Sequence, residues 1–83
     1  MESKEQNALL GNLDRLHTTP MGVERIRNNL SLNEEDVVAW CRDRISDPKA
    51  AISRQGKNWY VDAENSRITV NAHSYTIITA HKL

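Results

Sequence analysis

Asn58-Trp59-Tyr60-Val61-Asp62-Ala63-Glu64-Asn65-Ser66-Arg67-Ile68-Thr69-Val70-Asn71 is the stretch on which the fold turns. Read in steps of two, it puts Trp59 and Val61, then Ile68 and Val70, on one face. Asn58, Tyr60, Asp62, Arg67, Thr69 and Asn71 fall on the other, the alternation of half-buried strands. Ala63-Glu64-Asn65 carries turn chemistry between them, so the two runs read as an antiparallel hairpin. Working outward, Ala51 to Gln55 and Lys57 to Asp62 read as strands around Gly56, Ser66 to Ala72 as a third, and Tyr75 to Lys82 as a fourth. The register of the fourth strand stays open. A two-residue turn at His73-Ser74 sends Tyr75, Ile77, Thr79 and His81 coreward, a three-residue turn reverses the choice, and the adjacent Ile77 and Ile78 suit either.

Before Pro48 the apolar period is helical. Ser3 with Gln6 three residues on is a capping box, and Leu9, Leu13 and Leu16 form one stripe of a first helix, widened by Leu10. Thr19 suits an N-cap and Pro20 the first position of a second helix, with Val23, Ile26 and Leu30 on its buried face and Arg25 and Arg27 in water. Asn33 is read as the cap of a third, whose Glu34, Glu35 and Asp36 complement the helix dipole and whose Val37, Cys41 and Ile45 form the stripe. Asp47-Pro48 ends it. The expected fold is α+β, with three N-terminal helices packed on one face of a three- to four-stranded antiparallel meander. It is read as a single domain over 1–83, with a helical half 3–47 and a sheet half 50–83.

A chain of 83 residues has room for one core and little apolar material for a deep cavity. With 39% hydrophobic and 27% charged residues, the composition is globular rather than disordered. One cysteine, Cys41, excludes an intrachain disulfide, and its place on an apolar stripe reads as core filler rather than a reactive thiol. The opening Met1-Glu2-Ser3-Lys4-Glu5-Gln6 lacks the apolar stretch of a signal peptide, and no apolar run reaches membrane-span length. The expectation is a cytoplasmic protein without membrane association. Oligomeric state is not legible.

Net charge is zero but unevenly spread. Through Pro48 there are six bases against nine acids, and from Lys49 onward five bases, Lys49, Arg54, Lys57, Arg67 and Lys82, against Asp62 and Glu64, with His73 and His81 besides. The sheet half is therefore suited to an anion. No phosphate loop, paired Cys-x-x-Cys, HExxH or GxSxG motif is present, and the histidines have no ligand set at metal spacing. The sequence predicts neither metal nor cofactor. Trp59 alternates with Val61 and is expected in the core rather than as an exposed stacking platform.

The segments Gly56-Lys57-Asn58-Trp59-Tyr60-Val61, Ile68-Thr69-Val70-Asn71 and Ser74-Tyr75-Thr76-Ile77-Ile78-Thr79-Ala80-His81 resemble a family of small bacterial proteins, domain of unknown function 3781. His17-Thr18-Thr19, Gly22-Val23-Glu24-Arg25-Ile26 and Trp40-Cys41 extend the resemblance over nearly the whole chain. It implies a compact domain and supplies no catalytic residues.

A second resemblance, in architecture and in Ile77-Ile78-Thr79-Ala80, is to the barnase, colicin and RelE group of ribonucleases and toxins. It implies an RNA-facing basic sheet and metal-independent cleavage, with a base, a cation and an acid around the phosphate. His73, His81, Arg67 and Tyr75 are the candidate catalytic residues, and Arg54, Lys57, Tyr60 and Asn71 the nucleic-acid or partner face. One alternative is a non-enzymatic protein-interaction module using Tyr60, Arg67 and Asn71. Another is a winged-helix DNA binder, opposed by Glu34, Glu35 and Asp36 where phosphates would pass. Catalysis requires that Arg54, Lys57, Arg67, His73 and His81 converge on one patch.

Overall fold

Strand alternation and helical stripes meet in one apolar cluster. The computed structural model describes residues 8–83. After a helical segment at residues 8–10, the helices α1 (Pro20–Leu30) and α2 (Val37–Ile45) precede the strands β1 (Ala51–Gln55), β2 (Asn58–Ala63), β3 (Ser66–Asn71) and β4 (Ile77–Lys82). The strands form one antiparallel sheet in sequence order. Trp59, Val61, Ile68, Val70, Ile77 and Ala80 of the sheet share a buried cluster with Ile26 and Leu30 of α1 and Val37, Cys41 and Ile45 of α2. The face expected for Trp59, Val61, Ile68 and Val70 is thus the core face.

The first helix differs from expectation. Residues 8–10 are helical, but the chain then turns at Gly11-Asn12 and continues as a 3-10 turn over Leu13–Arg15. Asn12 explains the break: its Nδ2 donates to the Ala8 carbonyl and its backbone N–H to Leu9 O, so side chain and main chain together close a turn. Leu9 and Leu16 still reach the core from either side of that break. The capping box of Ser3 and Gln6 lies outside the described residues.

α1 begins as read, with Thr19 Oγ1 accepting from Gly22 N at 3.0 Å and Pro20 in the first turn. Arg27, expected in water, lies at the surface and there donates to the Glu34 and Glu35 carbonyls, pinning the connection to α2. The cap of α2 is Asp36 rather than Asn33, its carboxylate accepting from Ala39 N, and the helix starts at Val37. Glu34 and Glu35 therefore precede the helix.

Turn chemistry sets the first two hairpins. Gln55 faces Asn58 across Gly56-Lys57, where Gly56 has φ +60 and Lys57 does not, the pattern of a type II′ turn. Ala63 faces Ser66 across Glu64 and Asn65, both at positive φ (49 and 62), the pattern of type I′.

The connection from β3 to β4 is longer than two or three residues, and β4 starts at Ile77. Thr69 faces Thr79 while Val70 faces Ile77, so Ile78 is the extra residue of a bulge. The bulge answers the register question with a mixture: Tyr75, Ile77 and Ala80 are buried, whereas Thr79 is half-buried and His81 exposed. Beyond the bulge, His17 makes a parallel bridge to Thr76, with Ile77 N donating to His17 O at 2.7 Å. Thr18 Oγ1 donates to Ile77 O, and Asn29 of α1 to Thr79 Oγ1.

Candidate functional site at the loop end of the sheet

The register sorts the candidate residues into two groups. Arg67 faces His81 on β4 and Asp62 on β2. Arg67 Nε and Nη2 donate to the Asp62 carboxylate at 2.7 and 3.0 Å, a bidentate pair that holds the Asp62 carboxyl below its ordinary range, with His81 adding to the effect. Nearby, Arg44 pairs with Glu64 at 3.3 Å. At this end of the sheet Arg67 and Arg44 are each matched by a carboxylate.

Asn71, His73 and Tyr75 lie toward the other end, beyond Arg67 by roughly 13 Å of strand for the first of them. Lys57 joins them, because Ala72 N donates to Lys57 O at 2.7 Å and brings the β1–β2 turn against the β3–β4 loop. Arg54 is there too: it faces Trp59 in register, and its guanidinium lies over the Trp59 ring at 5.6 Å. Tyr60 sits midway, between Ser53 and Thr69 on the polar face. The five groups Arg54, Lys57, Arg67, His73 and His81 are therefore not brought to one patch.

Two features at the loop end were not legible in the sequence. The first is a cluster of two tilted rings and two guanidiniums. Trp59 and Tyr75 touch with ring centroids 5.4 Å apart, Arg54 lies over Trp59, and Arg15 of the 3-10 turn lies over Tyr75 at 4.5 Å. Both rings are buried, and the Trp59 indole N–H has no hydrogen-bond partner among the described residues. Arg15, Arg54 and Lys57 are exposed, and among the described residues none is in an ion pair. Residues 53–58 and 71–76, which include both loops, contain no carboxylate.

The second is a chain of hydrogen bonds through His17, Thr76, Ser74 and Asn71. His17 Nδ1 lies 2.9 Å from Arg15 O, and because a carbonyl only accepts, that nitrogen carries the proton. In the neutral ring Nε2 then accepts from Thr76 Oγ1 at 3.0 Å. Ser74 Oγ is 2.7 Å from Thr76 Oγ1 and 3.2 Å from Asn71 Oδ1, which also accepts from the backbone N–H of His73 and Ser74. Tyr75, between the two hydroxyl residues, has φ +61, a left-handed conformation that a bulky side chain rarely adopts. Asn71 holds it there, accepting from Tyr75 N and donating to Thr76 O, each at 2.9 Å.

Elsewhere, burial pushes the Cys41 thiol up to about 12, with Arg44 opposing the rise, which leaves the thiol protonated and inert. Among the described residues no group of three His, Cys, Asp or Glu is clustered to hold a metal ion, and no helix is long and apolar enough to cross a membrane.

Comparison with known proteins places the chain in a family. Residues 10–81 match the model of the family described as protein of unknown function (DUF3781), and the chain belongs to that family. No curated protein and no solved structure matches it, so the ribonuclease resemblance gains no support from relatives.

Proposed function

We propose that this DUF3781 domain binds single-stranded RNA across the loop end of its sheet, with the helical half packed against the face that carries Trp59, Val61, Ile68 and Val70. The observation that supports the reading is the exposed cations gathered at the touching Tyr75 and Trp59 rings, Arg15 over the first and Arg54 over the second, with Lys57 nearby and no carboxylate in either loop. A guanidinium beside an aromatic ring keeps N–H groups for phosphate oxygens and a plane on which a base can stack. Asn71, Ser74 and Thr76 supply amide and hydroxyl groups of the kind that meet a 2′-hydroxyl. The opposite end, where Asp62 neutralises Arg67, offers less to a polyanion.

Fluorescence anisotropy with a labelled single-stranded RNA tests the reading. Three cations imply a weak, salt-dependent complex, whose log affinity falls against log salt with a slope of about −2 at roughly 0.7 per phosphate. Arg15→Gln and Arg54→Gln should each weaken binding and flatten the slope by about 0.7, whereas Arg67→Gln should leave both alone. Absence of binding at low salt, or an Arg67→Gln effect equal to that of Arg15→Gln, refutes the site. Salt-insensitive binding points instead to a protein partner on the polar face around Tyr60.

A further inference from the structure

We propose that His17 is the general base of an RNA-cleaving transesterification at this loop end, with the Thr76 hydroxyl giving up its place at Nε2 to the substrate hydroxyl and His73 as proton donor. The inference rests on the RNA reading above. Of the three histidines, His17 is the one whose ring is fixed at both nitrogens, by Arg15 O at 2.9 Å and by Thr76 Oγ1 at 3.0 Å. The carbonyl holds the proton on Nδ1, so the lone pair at Nε2 is presented to a hydroxyl. The Thr76 hydroxyl marks where a substrate hydroxyl would dock. When the ring gains a proton, Thr76 Oγ1 can turn from donor to acceptor and pass its own proton toward Ser74 Oγ, 2.7 Å away, so the network accommodates both states. His81, on the end of the sheet where Arg67 pairs with Asp62, has no part in it.

An RNA phosphodiester carries its own nucleophile, and the loop end supplies the remaining groups. His17 Nε2 takes the proton of the 2′-hydroxyl as the 2′-oxygen bonds to phosphorus. Arg15, whose backbone carbonyl orients the ring and whose guanidinium is exposed, meets the charge on the phosphorane oxygens. The P–O5′ bond breaks, and the 5′-oxygen takes a proton from the His73 imidazolium. The products are a 2′,3′-cyclic phosphate and a 5′-hydroxyl, and the two histidines exchange protons with solvent to reset.

The test uses the full chain with end-labelled single-stranded RNA in chelator, scored for both anisotropy and single-turnover cutting. Cutting should leave 2′,3′-cyclic phosphate ends, and an all-2′-deoxy strand of the same sequence should stay intact. His17→Gln should slow cutting by about a hundredfold or more while the dissociation constant and melting temperature hold, and His81→Gln should change neither. Where a His17 variant melts early, carbethoxylation of the wild-type chain mapped by mass spectrometry makes the same test: loss of cutting must track His17 or His73 and not His81. RNA bound but uncut by the wild type overturns this inference and leaves the binding reading standing, whereas no binding overturns the reading itself. Full cutting by a folded His17→Gln, or unchanged cutting after His17 is acylated, removes His17 as the base.

Discussion

Tyr75 offers a test in which the sign of a difference, rather than its size, carries the result. Its ring is 7% exposed and lies on Trp59, while its backbone sits at φ +61. Truncation to alanine loses the ring, at about 3 to 5 kcal/mol for a buried aromatic, and keeps a side chain in the left-handed region at about 1 to 2 kcal/mol. Truncation to glycine loses the same ring and relieves the strain, at an entropic cost in the unfolded chain of about 0.5 to 1 kcal/mol. Tyr75→Gly should therefore be more stable than Tyr75→Ala by about 0.5 to 1 kcal/mol. At a urea dependence of about 1 kcal/mol per molar, the midpoints should differ by roughly 0.5 to 1 M. Glu64, at φ 49 on an exposed turn, should show the same order without loss of a buried ring, and exposed Ser53 in β1 the reverse. Urea melts followed by tryptophan fluorescence measure all six variants. A Tyr75→Gly midpoint at or below that of Tyr75→Ala would show that Tyr75 is not held in the left-handed region.

Trp59→Ala should cost about 3 to 5 kcal/mol, since the ring is 2% exposed, whereas Trp59→Phe should cost well under that because the lost indole N–H has no partner to orphan; equal losses in urea melts would contradict the second half. Cys41 should resist a thiol reagent in the native state and react at the rate of unfolding, and prompt stoichiometric labelling would place it at the surface. Its thiol ionises near 9 when unfolded and near 12 when folded, so its contribution is whole below pH 9 and lost as pH rises from 9 toward 12. Cys41→Ala should flatten that alkaline decline, and an unchanged slope would refute the assignment. The depressed Asp62 gives the opposite sign: its pairing with Arg67 contributes above the ordinary carboxylate value of 3.8 and is lost as pH falls through the lower folded value. Arg67→Gln should raise the pH of acid unfolding, and a matching acid limb in the two proteins would show that the pair is screened away.

The sheet was legible because its signals are local. The period-two run through Trp59, Val61, Ile68 and Val70 and the residues of its two tight turns name both the strands and the core face. The last strand was not, because a bulge at Ile78 changes phase inside it and allows Ile77 and Ala80 to share a side. The cap of α2 was misplaced by three residues because Asn33 and Asp36 are equally good caps in isolation. At the candidate site, His73, Tyr75, Asn71, Lys57 and Arg54 were singled out by residue type. Arg15, His17 and Thr76 were not, since a parallel bridge between residues 59 apart leaves no mark on either segment.

Why the β3–β4 loop should carry backbone strain at all follows from what the strain brings together. In a regular strand, residues two apart point the same way with their Cβ atoms roughly 6.5 Å from one another, too far for two short hydroxyl side chains to meet. A positive φ at Tyr75 curls the chain between Ser74 and Thr76, and their hydroxyls close to 2.7 Å. The same curl turns the Tyr75 ring inward onto Trp59, where the Arg15 guanidinium also meets it, while His17 meets Thr76. The tight turn at Glu64-Asn65 also uses positive φ, but there the turn type itself demands it. At Tyr75 no two-residue turn does, and the conformation persists because Asn71 ties the loop through both its backbone and its side chain. Asn71→Ala keeps the two main-chain bonds to Tyr75 and Thr76 but removes the acceptor for His73 N, Ser74 N and Ser74 Oγ, so it should free Ser74 from Thr76 and lower RNA affinity by more than the loss of one amide contact accounts for. If binding falls only as far as it does in Thr76→Val, the strained loop is a consequence of packing and the site does not depend on it.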